Sequence, residues 1–254
     1  MTKDQNTGFL LVGHGTRDAL GQNEFRQVAE MLRTQLPDTP VADCFLELAS
    51  PDIGAGVDTL VQAGVRRIVA LPLLLFTAGH AKRDIPEAID AAVANHAGLS
   101  WTMAAPLGEH PAVLKLAKQR FDEALKQSLQ PEAGATLFFI SRGSSDPEAI
   151  DSVQQFFQRH RANLQHVTAE RVCFLAAAEP TFADTLHWAA RQTPRQVVVQ
   201  PHLLFHGQLM QEVRRRIAEL AEDPGQPAYH IADYLGPSSE IVTALLDRLR
   251  EVGD

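Results

Sequence analysis

Gly8-Phe9-Leu10-Leu11-Val12-Gly13-His14-Gly15-Thr16-Arg17-Asp18 opens the chain and decides how it is read. Residues 8–12 are a short apolar run, the mark of a buried strand. The run then breaks on a histidine between two glycines. A tight turn at the C-terminal end of a first strand is a poor place for a packing residue, so His14 is taken as the centre of a candidate site. Working outward, residues 21–36 carry Phe25, Val28, Ala29, Leu32 and Leu36 at helical spacing, and Pro37 ends them. Residues 41–48 read as a second strand. Ser50 is expected to cap the next helix, with Pro51 in its first turn and Gly64 beyond its end. Residues 67–71 form a third strand, continued past Pro72 through 73–76. Thr77-Ala78-Gly79-His80 is a second glycine–histidine turn, followed by a helix over about 81–95. A fourth strand near 99–105 and a helix from His110 to about Lys126 complete the unit. Apolar strands alternating with helices predict a parallel sheet covered on both faces.

The second half repeats the first. Ser141-Arg142-Gly143-Ser144-Ser145-Asp146 matches 13–18 at an offset of 128. Phe174-Leu175-Ala176-Ala177-Ala178-Glu179-Pro180 matches Phe45-Leu46-Glu47-Leu48-Ala49-Ser50-Pro51 at 129, and Gln200-Pro201-His202-Leu203-Leu204-Phe205 matches 71–76 at 129. Tyr234-Leu235-Gly236 matches Pro106-Leu107-Gly108 at 128. Four landmarks in order at nearly constant offset indicate a tandem duplication. The fold class expected is α/β: a doubly wound, flavodoxin-like four-stranded parallel-sheet domain, present twice. The expected domains are residues 1–127 and 136–254, with 128–135 as a linker.

The 254 residues are 45% hydrophobic and 21% charged, with a formal net charge of −8 and no basic block. Nucleic acid and anionic membrane surfaces are therefore not expected partners, since binding phosphates requires clustered Lys and Arg. The longest apolar stretch, 68–78, contains Pro72 and is too short to cross a bilayer. Cys44 and Cys173 lie far apart and read as small buried apolar residues, which suits a reducing compartment; a cytoplasmic location is expected.

The two copies keep the same glycines, prolines and strands but differ where chemistry would lie. His14 faces Arg142, Glu47 faces Ala176 and His80 faces Leu209. In a sheet of order 2-1-3-4, a crevice opens at the C-terminal ends of the first and third strands. His14 and His80 then approach one crevice from opposite sides, with Glu47 near the end of the second strand. Two imidazoles and a carboxylate without cysteine suit a divalent first-row metal. The alternative for each histidine alone is an ordinary surface residue, and for Glu47 a capping or ion-paired carboxylate. Arg17, Lys82 and Arg83 are either carboxylate binders or solvated surface charges. His202 and His206 are expected to line a polar cleft. His96, His110, His160, His166, His187 and His230 show no pattern. Gly-His-Gly-Thr lacks the lysine of a phosphate-binding loop, and no Gly-x-Ser-x-Gly elbow of a hydrolase is present.

Leu11-Val12-Gly13-His14-Gly15-Thr16-Arg17, the 45–51 motif and Pro72-Leu73-Leu74-Leu75-Phe76-Thr77-Ala78-Gly79-His80-Ala81-Lys82-Arg83-Asp84-Ile85-Pro86 together resemble the CbiX/SirB family. These are class II sirohydrochlorin chelatases, here in the long, two-domain form. The resemblance implies a chelatase-like fold and ATP-independent insertion of a divalent metal into sirohydrochlorin, for cobalamin or sirohaem. It places metal binding on His14 and His80, and catalysis on these two and Glu47. Substrate contacts are expected at Thr16, Arg17 and Lys82. No permanently bound cofactor is implied. The metal is a substrate, with Co2+ first, Fe2+ next and Ni2+ third. Because one chain holds both copies, a monomer is expected. The alternatives are a ferrochelatase acting on another tetrapyrrole and a non-catalytic metal or tetrapyrrole carrier.

Overall fold

The computed structural model describes residues 6–76, 79–223 and 225–253, and of residues 79–81 and 253 the backbone alone. Strands β1 (Thr7–Gly13), β2 (Val41–Phe45), β3 (Arg67–Pro72) and β4 (Ser100–Met103) alternate with helices α1 (Ala19–Gln35), α2 (Ile53–Gln62), α3 (Gly79–Val93) and α4 (Pro111–Leu125). The pattern recurs as β5 (Ala135–Ser141), α5 (Pro147–Ala162), β6 (Val167–Phe174), α6 (Phe182–Gln192), β7 (Gln196–Pro201), α7 (Gln208–Ala221), β8 (Ala228–Ile231) and α8 (Ser239–Gly253). The strands form two parallel sheets of order β2-β1-β3-β4 and β6-β5-β7-β8, the duplicated architecture read from the sequence.

The chain divides into two compact units that do not coincide with the sequence halves. Unit 1 holds residues up to Val113 together with Pro237–Asp254, and unit 2 holds Leu114–Gly236. Helix α8 therefore belongs with the first sheet and most of α4 with the second. Within residues 128–135, Pro131–Ala133 is a single 3-10 turn. The Gln196 side-chain amide donates to the carbonyls of Gln130 (3.1 Å) and Gly134 (2.7 Å).

Each sheet is covered on both faces, which its apolar central strands require. In unit 1, Leu10 and Val12 point to one face and pack with Ile53, Val57 and Leu60 of α2 and Ile85 and Ile89 of α3. The opposite face takes α1, which buries Phe25, Val28, Ala29 and Leu32, and α8, which packs on α1 and β3. In unit 2, Phe138 and Ile140 pack with Phe182 and Ala189 of α6 and Val213 and Ile217 of α7.

Two predicted strands end early, and their ends build the loops of the site. The second stops at Phe45 rather than at residue 48. Its next amides leave the ladder and turn to the end of β1: Leu46 N–H donates to Gly13 C=O (2.8 Å) and Glu47 N–H to His14 C=O (3.0 Å). The third stops at Pro72, after which Leu73 N–H bonds Val12 C=O (2.8 Å) and the chain departs. The cap of α2 is Asp52, not Ser50: Asp52 Oδ1 accepts from Ala55 N–H at 2.8 Å. Pro51 precedes the helix, and the Ser50–Pro51 and Glu179–Pro180 peptides are cis.

Candidate metal-handling site

The site grows from the two loops that cross at the end of β1. Gly15 adopts φ +100°, and a Cβ there would lie 1.7 Å from the Glu47 carbonyl oxygen. Only glycine allows the 45–50 loop to close this tightly on the first turn. The loop is also tied to α1. The Phe25 and Phe45 rings pack with centroids 4.5 Å apart. Arg26 lies over the Phe45 ring, and its Nη2 donates to Ser50 C=O at 3.1 Å. Sequence reading passed over Arg26, because an exposed helical arginine carries no distinguishing signal. Thr16 is engaged locally: its Oγ1 accepts from Asp18 N–H (3.1 Å) and its carbonyl from Gln22 Nε2 (2.8 Å). Asp18 in turn caps α1 through Gly21 N–H at 2.9 Å. The threonine thus shapes the turn, whatever else its hydroxyl contacts.

This framework brings together two residues singled out from the sequence. His14 Nε2 lies 3.6 Å from Glu47 Oε1, with 39% of the imidazole and 54% of the carboxylate side chain exposed. The separation is beyond hydrogen-bonding distance and close enough for attraction once the ring is protonated. It also suits shared ligation. Two donors held about 2.1 Å from one tetrahedral ion stand roughly 3.4 Å apart, so a small side-chain rotation lets both atoms reach the same metal. His80 falls in the first turn of α3; its side chain lies outside the described residues. Among the described residues no cluster of three metal-ligating side chains occurs.

Arg17 and Lys82 are exposed, as a role in meeting an acidic ligand requires. Arg83 is exposed too, 3.6 Å from Asp84 and 3.7 Å from Glu87. His202 corrects an expectation. It does not line a cleft but is 2% exposed, 4.2 Å from the Phe156 ring centroid and 5.2 Å from that of Phe139. Burial lowers its pKa to about 3. His160, fully buried, bonds Gln200 Oε1 at 2.9 Å, and burial lowers its pKa to about 4. His96 and His110 likewise have structural partners, Asp58 at 2.8 Å and Asp247 at 3.4 Å. Both cysteines are free and buried, and burial raises both thiol pKa values, so neither competes as a ligand.

A family model described as CbiX matches residues 8–124 and again 136–252. The chain belongs to the CbiX family. Its two CbiX matches coincide with the two copies of the internal repeat. Among its relatives, a sirohydrochlorin ferrochelatase of Priestia megaterium is 33% identical over 92% of this chain and 85% of that protein. A sirohydrochlorin cobaltochelatase of the same organism is 27% identical over 95% and 78%. A solved structure described as SirB from Bacillus subtilis with Fe3+ superposes with a TM-score of 0.84 at 29% identity, over 97% of this chain and 95% of that one. Among the described residues, no helix of this CbiX chain is long and apolar enough to cross a membrane.

Proposed function

We propose that the chain is a sirohydrochlorin chelatase, inserting a divalent metal without ATP and favouring Co2+ over Fe2+. The observation that carries this is the His14–Glu47 pair, built on crossed loops that the second copy repeats without either side chain. The reaction replaces two pyrrole N–H protons with M2+ and releases two protons. In this proposal His14 and His80, as neutral imidazoles, take the metal from water. Glu47 or one of the imidazoles accepts the pyrrole protons as general base. Arg17 and Lys82 meet the acetate and propionate arms of the ring. Imidazole and carboxylate accept cobalt, iron and nickel alike, so supply in the cell decides among them as much as affinity does. The free buried thiols fit a cytoplasmic enzyme, and two CbiX units in one chain fit a working monomer.

Anaerobic assay of the purified chain with sirohydrochlorin and excess Co2+, Fe2+ or Ni2+, followed by absorbance, tests this. Multiple turnovers are expected with sirohydrochlorin and none with protoporphyrin. Stoichiometric binding without turnover would identify a carrier, and preference for protoporphyrin a different chelatase.

A further inference from the structure

Only three large hydrophobic side chains are exposed among the described residues: Leu20 (48%), Leu48 (49%) and Leu129. Two of them lie close along the chain to His14 and Glu47 of unit 1. Leu20 is the second residue of α1, just after the turn that carries His14, and Leu48 directly follows Glu47. Neither position favours leucine on local grounds. The first turn of a helix at the surface prefers polar or acidic residues. Leu48 sits at φ +63°, in the left-handed region where a Cβ is disfavoured and glycine or asparagine fits best. Nor does burial compensate for it, since half of the residue faces solvent.

The repeat separates backbone from side chain at both positions. At 128 residues further on, Leu20 becomes the exposed Glu148; at 129 further on, Leu48 becomes Ala177, which keeps the left-handed turn at φ +53°. Unit 2 thus builds the same loop without a leucine at that position. The leucines occur where the histidine and carboxylate occur, and vanish with them.

We propose that Leu20 and Leu48 are the apolar contacts that seat the flat face of the tetrapyrrole beside His14 and Glu47, an inference that rests on the chelatase reading above. A metal held at His14 can enter the ring only if the macrocycle lies against the same turns. The face of a conjugated macrocycle is apolar, whereas its acidic arms project from the rim. Two exposed leucines beside the metal ligands match the face, and the neighbouring cations match the rim.

The test compares wild type with Leu48→Gly, Leu48→Ala and Leu20→Gln. Half-burying one leucine contributes enough that KM for sirohydrochlorin, and Kd for the metal-free ring from absorbance titration, should each rise about five- to tenfold per site. The kcat should stay within about twofold, and KM for Co2+ should not move. Thermal stability of Leu48→Gly should hold or increase, since glycine relieves the left-handed backbone. Unchanged ring binding in all three variants overturns the proposal. So does weakened binding that appears only with a fall in thermal stability, which would make the leucines structural. A wild-type dimer that the variants dissolve also overturns it, by showing a second copy as the occupant. If wild type binds the ring but never turns over, the functional reading fails while the seating is still measured by Kd. If wild type binds no sirohydrochlorin, both fail.

Discussion

The turn after β1 and the turn after β5 share a backbone and differ in chemistry. Gly15 and Gly143 take φ +100° and +90°, and a Cβ on either would lie under 2 Å from a carbonyl oxygen of the crossing loop, that of Glu47 or Ala176. Glu47 N–H donates to His14 C=O as Ala176 N–H donates to Arg142 C=O. Thr16 and Ser144 both accept from the amide of the aspartate that caps the following helix. The unusual backbone is thus a property of the fold, present equally where no histidine or carboxylate stands. Strained geometry at an active site invites a functional explanation; here the second copy shows that the strain serves the crossing of two loops. In the proposed reading, function is confined to the side chains mounted on them.

The sharpest break of that comparison is to remove those side chains. His14→Ala and His80→Ala should each fold normally and lower turnover by about a hundredfold or more, and Glu47→Ala should lower it less. Wild-type turnover in both histidine variants would sink the assignment. Circular dichroism of His14→Ala at neutral pH should show no change, because a half-exposed imidazole contributes little to packing.

A second difference between the copies lies in the core and should appear in acid. Leu32, Leu71 and Leu73 of unit 1 are replaced in unit 2 by His160, Gln200 and His202, all buried. The imidazoles pack against Phe139 and Phe156, and Gln200 Nε2 donates to Ala117 C=O at 2.7 Å. Desolvation is the main cause of the lowered His160 pKa; the Gln200 hydrogen bond opposes it, and Asp122 and Lys118 of α4, paired at 2.5 Å, act on it in opposite directions. Above about pH 6.5, the ordinary histidine value, both rings are neutral folded or unfolded. Below it the unfolded chain takes up protons that the core refuses, so stability falls with falling pH until the folded values of about 4 and 3 are reached. Unit 2 should lose on the order of 2 kcal/mol per histidine at pH 5. Hydrogen exchange should then show amides of β5 and β7 losing protection while those of β1 and β3 keep theirs. The double variant His160→Leu/His202→Leu should abolish the difference, and equal loss in both sheets would contradict it.

The crossing loops offer a smaller contrast. Gly15→Ala and Gly143→Ala should each destabilise by about 3 kcal/mol, from the left-handed backbone and the carbonyl contact together. Only Gly15→Ala should also reduce turnover per folded molecule, since it displaces Glu47. Equal losses of turnover would mean that unit 2's loop takes part in the reaction.

Period, spacing and repetition made the duplicated sheets and the strand order legible in the sequence, and placed Glu47 on the strand beside the one that carries His14. The strand ends were not legible. Residues 46–48 and 73–76 are apolar enough to read as strand, yet amides bonding sideways to β1 carry the chain away. The grouping of α8 with the first sheet and of most of α4 with the second was equally hidden, because a helix's periodicity marks its buried face and not the sheet that face meets. His202 misled for a related reason: a polar residue at a strand end suggests a cleft, while here an aromatic box encloses it.

The smallest expected effect sharpens the comparison where it is least visible. Leu209 stands in the first turn of α7, at the position His80 holds in α3. It is only half-buried, and unit 2 has neither the imidazole of the first turn nor the carboxylate of the crossing loop for it to assist. Truncating a half-exposed leucine removes part of its side-chain transfer energy and opens no enclosed cavity, so Leu209→Ala should cost about 1 kcal/mol. Turnover, KM and metal preference should stay at wild-type values in the same assay that registers the loss in His80→Ala. Should Leu209→Ala slow turnover severalfold with its thermal transition intact, unit 2's first helical turn would belong to the reaction, and the division of labour between the copies would have to be redrawn.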